Sequence, residues 1–358
     1  MDIPVRKCVK CPEPGPYFGF DARRATYCKP CFIKMAKHKF SSALGKNRVF
    51  KYGTSKNPII ISFGDQNSAF LAALIHEGMS KGEHKKLDIQ PTLVFVTDSL
   101  DTDYVSSYYE RSKMMKEKVD WPHYFVHLAS IFSNPFVIKG DLMNGIENIP
   151  TYTSFLSYFK SETAKKEINR VLLDILFVKL ARYLECEKLL LPGCADELAL
   201  TTCNALCFGR GASIAHQTEI VDSRFDKILM VRPLHDLSQK EIKVVFEFES
   251  YEDWKVNKDA DEDKVAGNDS AKSVQSINSS FLVSLLNAGF PATITTLLSI
   301  SGKVRPIVVE SSVSCNLCGV KYESHDNEYF VCAACNDFVE AEMTSSAESH
   351  ELLKSLLI

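Results

Sequence analysis

Apolar residues along this chain fall into short β-branched runs separated by segments of helical spacing. The clearest case is Ile59 to Ile75, where three isoleucines give way to a polar turn and then to an apolar segment of helical period. That order predicts strand, tight loop, helix. The alternation continues. Strands are predicted over 91–97, 124–128, 189–192 and 226–234, and helices over 68–77, 103–118 and 161–185. In the last of these Ile168, Leu172, Ile175, Leu176 and Leu180 recur at helical spacing. Residues 129–158, with Pro135 and Pro150, read as an irregular surface excursion. A helix follows Gly193, and Ser238 with Glu241 has the spacing of a capping box at the start of another. Strands that are apolar throughout, alternating with helices, predict an α/β fold: a doubly wound, mostly parallel sheet.

Flanking segments depart from this pattern. Residues 250–272 are acidic, polar and poor in large apolar side chains, and predict a flexible insertion. Residues 273–289 return to an amphipathic helix with Val274, Ile277, Phe281, Leu282, Leu285 and Leu286 on its apolar side; 292–301 reads as a second helix. The division expected is residues 1–56 as an N-terminal module with a basic helix, 57–249 as the α/β domain, 250–272 as the insertion, 273–312 as a helical extension, and 313–358 as a C-terminal module. Its tail reads as a terminal helix that docks on the body.

Cysteine content changes the picture most. Eight of twelve cysteines form four Cys-x-x-Cys pairs. The amino-terminal stretch lacks the apolar core of a signal peptide. No run approaches the roughly 18 apolar residues of a membrane span. We therefore expect a reducing, cytoplasmic setting without membrane association, in which paired thiolates point to metal rather than disulfides. Cys8, Cys11, Cys28 and Cys31, with sixteen residues between the pairs, suit one tetrahedral zinc ion; Cys315, Cys318, Cys332 and Cys335, with thirteen, suit a second. Gly319 after Cys318 supplies the turn of a zinc knuckle. Cys203 and Cys207, one helical turn apart, read as small apolar core residues.

Net charge is −3, so a nucleic-acid surface would have to be a local patch. The densest basic region holds Lys34, Lys37, His38, Lys39, Lys46, Arg48, Lys51 and Lys56. Lys34, Lys37, Lys39, Lys46 and Arg48, together with Arg210 between Gly209 and Gly211, are the candidate RNA contacts.

The loop after the first strand carries neither Gly-x4-Gly-Lys-Ser/Thr nor Gly-x-Gly-x-x-Gly. Ser62-Phe-Gly64-Asp-Gln66-Asn67-Ser68 resembles the pyrophosphate loop of the ATP-pyrophosphatase superfamily, Ser-Gly-Gly-x-Asp/Ser-Ser. Ser62 and Gly64 match; Phe63 replaces the first glycine, Gln66 the acidic or serine position, and Asn67 the second serine. Phenylalanine adds bulk where backbone must approach phosphate, and loss of the acid removes a plausible magnesium ligand. Ser62, Gly64, Asn67 and Ser68 are thus the remnants of a degenerate nucleotide loop, and ATP binding there is doubtful.

The ordered motifs narrow the resemblance. Cys-x2-Cys…Cys-x2-Cys-Phe is followed by His38-Lys39-Phe40 and Leu44-Gly45-Lys46. Downstream come Leu206-Cys-Phe-Gly-Arg-Gly-Ala-Ser213, Arg232-Pro-Leu-His-Asp-Leu-Ser-Gln-Lys-Glu-Ile242 and Phe290-Pro-Ala-Thr-Ile-Thr-Thr296. Together they resemble the cytoplasmic tRNA 2-thiolation protein 2 family. The resemblance implies an accessory subunit, paired with a catalytic tRNA 2-thiolation protein 1, for placing sulfur on C2 of the wobble uridine of lysine, glutamine and glutamate tRNAs. The sulfur would come from a thiocarboxylated ubiquitin-related modifier. Active thiolases of this type use a Cys-x-x-Cys and a third cysteine in the catalytic domain; here that region has Cys186, Cys194, Cys203 and Cys207, with no such pair. No catalytic residue is therefore assigned. Two alternatives stay open in the sequence: an independently active ATP-dependent adenylating enzyme, and a zinc-ribbon protein adaptor with no RNA role.

Overall fold

A computed structural model of the chain describes residues 6–21, 25–51, 54–82, 86–257, 273–305, 310–323 and 330–357. Residues 258–272 of the acidic stretch lie outside the described residues. The N-terminal segment pairs β1 (Tyr17–Phe18) with β2 (Thr26–Tyr27) and enters α1 (Lys29–Lys46). Cys28 is the N-cap of α1 and a proline opens its first turn, where a missing N–H costs nothing. Phe32, Ala36, Phe40, Ala43 and Leu44 form its buried stripe.

The central sheet is built from β3 (Ile59–Ser62), β4 (Thr92–Thr97), β5 (His123–His127), β6 (Met143–Asn144), β7 (Lys188–Leu190), β8 (Val221–Phe225) and β9 (Ile228–Val231). Their spatial order is β6-β5-β4-β3-β7-β9-β8. All neighbours run parallel except β8, which is antiparallel to β9. Side chains of period two send successive residues to opposite faces. Ile59, Ile61, Val94, Val96, Val126, Leu189 and Met230 enter one core, while Ile60, Leu93, Phe95, Phe125, Leu190 and Val231 enter the other. Both faces are covered, which is why β3, β4 and β9 are almost wholly apolar.

The helices that connect and follow them are α2 (Gln66–Met79), α3 (Thr102–Lys113), α4 (Met115–Lys118), α5 (Ile149–Ser157), α6 (Glu162–Tyr183), α7 (Ala195–Cys207), α8 (Ile214–Thr218) and α9 (Gln239–Phe248). One face packs against α1, α2 and α9; the other against α5 and α6. On that second face also lie the C-terminal cysteines and Leu317, Val320, Phe338, Leu353 and Leu356. Beyond the sheet come α10 (Val274–Asn287), α11 (Ala292–Ser301), the hairpin β10 (Ser312–Ser314) with β11 (Lys321–Glu323), α12 (Ala333–Glu342) and α13 (Ala347–Leu356). The docked terminal helix is thus present, with Leu353 and Leu356 buried.

Four expectations need correction. The stretch 129–158 is not an excursion: it carries the edge strand β6 and the helix α5, whose Tyr152 and Phe155 are buried in the core. Helix α2 starts at Gln66 rather than Ser68, because Asp65 caps it. On α10 only Leu282 is buried, while Ile277 and Phe281 are 53% and 56% exposed. Cys203 is half-buried and Cys207 exposed, so neither is a core residue.

Candidate functional site

The loop between β3 and α2 stands at the carboxyl end of a central strand, where open α/β sheets commonly bind ligands. Here the loop is turned inward. Ser62, Asp65, Asn67 and Ser68 are all buried. Three of its N–H groups are taken up by its own side chains. Phe63 N–H donates to Ser68 Oγ at 2.9 Å, and Gly64 N–H donates to Ser62 Oγ at 3.2 Å. Ser68 donates to Asp65 Oδ1 twice, from its N–H at 2.9 Å and from its hydroxyl at 2.6 Å. The start of a helix favours an anion. In this chain the anion is the Asp65 carboxylate.

A second segment of chain closes the loop from outside. Asn257, fully buried, donates its N–H to Gly64 O at 2.9 Å. Its amide reaches Tyr104 Oη, and Arg111 Nη2 donates to its Oδ1 at 3.4 Å. Tyr108 of α3 lies beneath, its hydroxyl donating to Ser62 O at 3.3 Å. Gly64 has φ of +76°, and a Cβ there would come within 2.6 Å of Tyr108 Cε2 and 2.9 Å of Asn257 Cβ. The buried amide of Asn67 has no hydrogen-bond partner among the described residues. Asp65, Tyr108 and Asn257 were not legible as a unit in the sequence. Asp65 sits at the unconstrained position of the motif, and Asn257 lies in the acidic stretch.

Two strands away in the sheet, His127 ends β5. Its Nε2 donates to Ser99 O at 2.9 Å and its Nδ1 accepts from Ala129 N–H at 3.0 Å. Burial lowers its pKa below the usual imidazole value, and the Ser99 carbonyl opposes that shift.

The eight paired cysteines converge in two groups. Within each group the four sulfurs lie within 4.8 Å of one another. A tetrahedral zinc ion with Zn–S of about 2.3 Å needs S···S separations near ~3.8 Å. Cys11–Cys28 is 3.5 Å, Cys11–Cys31 3.8 Å and Cys318–Cys332 3.8 Å. The donor set and spacing therefore fit a single tetrahedral ion at each group. Backbone N–H groups face the sulfurs: Lys10 N–H donates to Cys8 at 3.4 Å, and Cys318 N–H to Cys315 at 3.5 Å. Gly319 takes φ of +72° to make the second turn. Thiols this close do not ionise together: against the opposing effect of burial, backbone N–H groups draw Cys8 down to about 6, while hydrogen bonding to Cys28 and then burial push Cys31 up to about 12. In the N-terminal group Cys11 and Cys31 are only half-buried, whereas all four C-terminal cysteines are buried.

The basic region is only partly available. Lys34, Lys46 and Arg48 are exposed. Lys37 is held between Glu77 and Glu249, and Lys39 pairs with Glu241 at 2.7 Å. Exposed Lys34, His38, Ser41 and Gly45 mark one face of α1. That face leads to a cleft of about 340 Å³ with Phe40, Leu44, Phe50 and Leu87 in its lining and Arg48, Lys51, Lys81 and Lys86 around it. Lys81 and Lys86 join this patch only through folding. Arg210 does not belong to it. Its side chain is 1% exposed and is paired with Glu167 at 2.5 Å, so it cannot meet a phosphate.

No family model matches the chain. Similarity to individual proteins is extensive. The chain is 31% identical to cytoplasmic tRNA 2-thiolation protein 2 of Caenorhabditis elegans, over 94% of this chain and 94% of that protein. The Caenorhabditis briggsae protein of the same name is 29% identical over 94% and 93%. Among solved structures, the U34-tRNA thiolase NcsA from Methanococcus maripaludis, determined with its 4Fe–4S cluster, superposes with a TM-score of 0.60 at 16% identity. That match covers 88% of this chain and 94% of the thiolase, and assigns the fold as the pyrophosphate-loop type.

Proposed function

The chain belongs to the cytoplasmic tRNA 2-thiolation protein 2 family, and on that basis we propose that it is the non-catalytic subunit of a wobble-uridine thiolase. In this reading it acts in the cytoplasm as a heterodimer with the catalytic 2-thiolation protein 1. The pair places sulfur on C2 of the wobble uridine in lysine, glutamine and glutamate tRNAs, with a thiocarboxylated ubiquitin-related modifier as donor. The observation that carries it is the seating of Asn257 on Gly64. A pyrophosphate loop works by offering free N–H donors to a leaving anion. This one has bonded the N–H groups of Phe63, Gly64 and Ser68 to its own side chains, placed a carboxylate at the helix start and packed itself between Asn257 and Tyr108. Such a loop holds the fold together, and adenylation of the uridine falls to the partner.

Two further features support the reading. The four-cysteine groups suit structural zinc, which supplies folding energy to segments too small for a full core. Exposed cations around the cleft suit a folded RNA, whose phosphates they would neutralise while the aromatic floor accepts a base or ribose. Lys34, Lys46 and Arg48 are the residues of the basic region we assign to tRNA, joined by Lys51, Lys81 and Lys86. The decisive experiment deletes the gene and measures 2-thiouridine at the wobble position. Loss of thiolation is expected, and restoration by the intact gene. Full thiolation in the deletion strain would overturn the proposal. Pyrophosphate release from ATP by the purified chain alone would instead make it an adenylating enzyme.

A further inference from the structure

Arg210 is better placed for a different task. It projects from the turn after α7 into the interior, and its Nη1 donates to Cys335 Sγ at 3.1 Å. On its other edge, Nε meets Glu167 Oε1 of α6 at 2.5 Å. Its guanidinium carbon lies 5.8 Å from the ring centre of Phe338, on the helix that carries Cys335. Cys335 is fully buried. This is a buried, permanently charged donor aimed at one sulfur of a group that fits a metal ion.

The charges around it explain why it is there. Glu167 also pairs with Arg170 at 3.0 Å, and Arg170 with Asp174 at 3.4 Å. Asp174 meets Arg224 at 3.2 Å, Arg224 meets Asp222 at 2.8 Å, and Asp222 lies 3.7 Å from Arg232. Four guanidinium groups against three carboxylates leave one positive charge on this ladder, of which only Arg170 and Asp174 reach toward solvent. A divalent ion held by four thiolates carries two negative charges. The ladder meets the cysteine group at both ends of the contact: Arg210 at Cys335 Sγ, and Arg224 Nη1 at Cys318 O, at 3.0 Å. The ladder's one positive charge offsets half of the charge on such a metal group. Buried charges left uncompensated are strongly disfavoured.

We propose that Arg210 is a positioning residue of the C-terminal metal centre, holding the Cys335 thiolate by charge-assisted hydrogen bonding and tying metal occupancy to α6 through Glu167. The inference rests on the reading that the C-terminal cysteines hold metal. Outer partners of this kind orient a ligand and tune its affinity, and their loss commonly costs about 10–100-fold in metal binding.

The test follows zinc release from the full-length protein to a chromogenic chelator. Cys8→Ser and Cys315→Ser assign the N-terminal and C-terminal phases. Arg210→Met should speed the C-terminal phase by about tenfold or more and leave the N-terminal phase unchanged. Arg210→Lys keeps the charge but not the two-edged geometry, and should fall between. After Co²⁺ replacement, the thiolate-to-cobalt charge-transfer band of the C-terminal centre should shift in Arg210→Met, because a sulfur has lost a donor. A merely structural role would not move that band. If Arg210→Met fails to fold, Arg210→Lys is read against wild type by the same two measurements. Unchanged release and an unchanged cobalt spectrum in a folded variant would overturn the proposal. Zinc content in Cys315→Ser equal to that of the wild-type protein would overturn the metal reading itself.

Discussion

Replacing Gly64 by alanine tests whether the loop after β3 is packed shut. At φ of +76° an L residue sits in the left-handed region, at a cost of about 1–2 kcal/mol. The new methyl would also lie 2.6 Å from the Tyr108 ring and 2.9 Å from Asn257 Cβ. Neither neighbour can yield easily. Tyr108 is buried against Phe95 and Phe125, and Asn257 is fixed through its backbone N–H and its amide. Overpacking of this kind adds about 1–3 kcal/mol, so the total is about 2–5 kcal/mol. That is a large share of the ~5–15 kcal/mol that holds a typical protein folded. Gly209 provides the control. Its φ is +64°, yet a Cβ there meets nothing within 4 Å, so Gly209→Ala should show only the left-handed cost of about 1–2 kcal/mol. Urea unfolding followed by circular dichroism would give both values from the shift in midpoint, provided the slopes agree. Equal losses at the two glycines would mean that the loop is open and that Asn257 does not seal it.

Three other outcomes are expected. Cys8→Ser and Cys315→Ser should each lower bound zinc and folded yield; elemental analysis showing unchanged zinc in both would refute the ligand assignment. Reversing charge at Arg48, Lys51 and Lys81 should weaken tRNA binding and flatten its salt dependence by about one unit of slope per lost phosphate contact, whereas Lys39→Glu should act mainly on stability through Glu241; equal affinities across a salt series would sink the patch. Lowering pH should cost stability through His127. Its folded pKa is depressed by burial, so its contribution is complete above the unfolded value near ~6.5 and is lost as pH falls below it, by at most about 1.4 kcal/mol per pH unit. His127→Gln should shed that part of the decline between pH 7 and 5.5, and an identical urea-midpoint slope in both proteins would refute the assignment.

What the chain's order of residues determined was everything that rests on local pattern. Apolar runs such as Ile59–Ile61 and Thr92–Val96 specify buried strands whatever their neighbours, because only a sheet covered on both faces hides consecutive side chains. Cys-x-x-Cys spacing marks candidate metal ligands because a tight turn alone brings two sulfurs together, and folding only had to join pairs separated by sixteen and thirteen residues. Tertiary structure decided the rest. Strand β8 was hidden in the sequence because its inward positions are Asp222 and Arg224, charged residues buried by pairing with each other rather than by being apolar. The same physics misplaces Arg210, whose sequence surroundings suggest a surface turn and whose partners lie 43 and 125 positions away. Lys37 and Lys39 look like free cations until Glu77, Glu249 and Glu241 arrive from other helices. The loop after β3 carries the same lesson. Its substitutions hint at lost chemistry, but only folding brings Asn257, 193 residues further on, to close it.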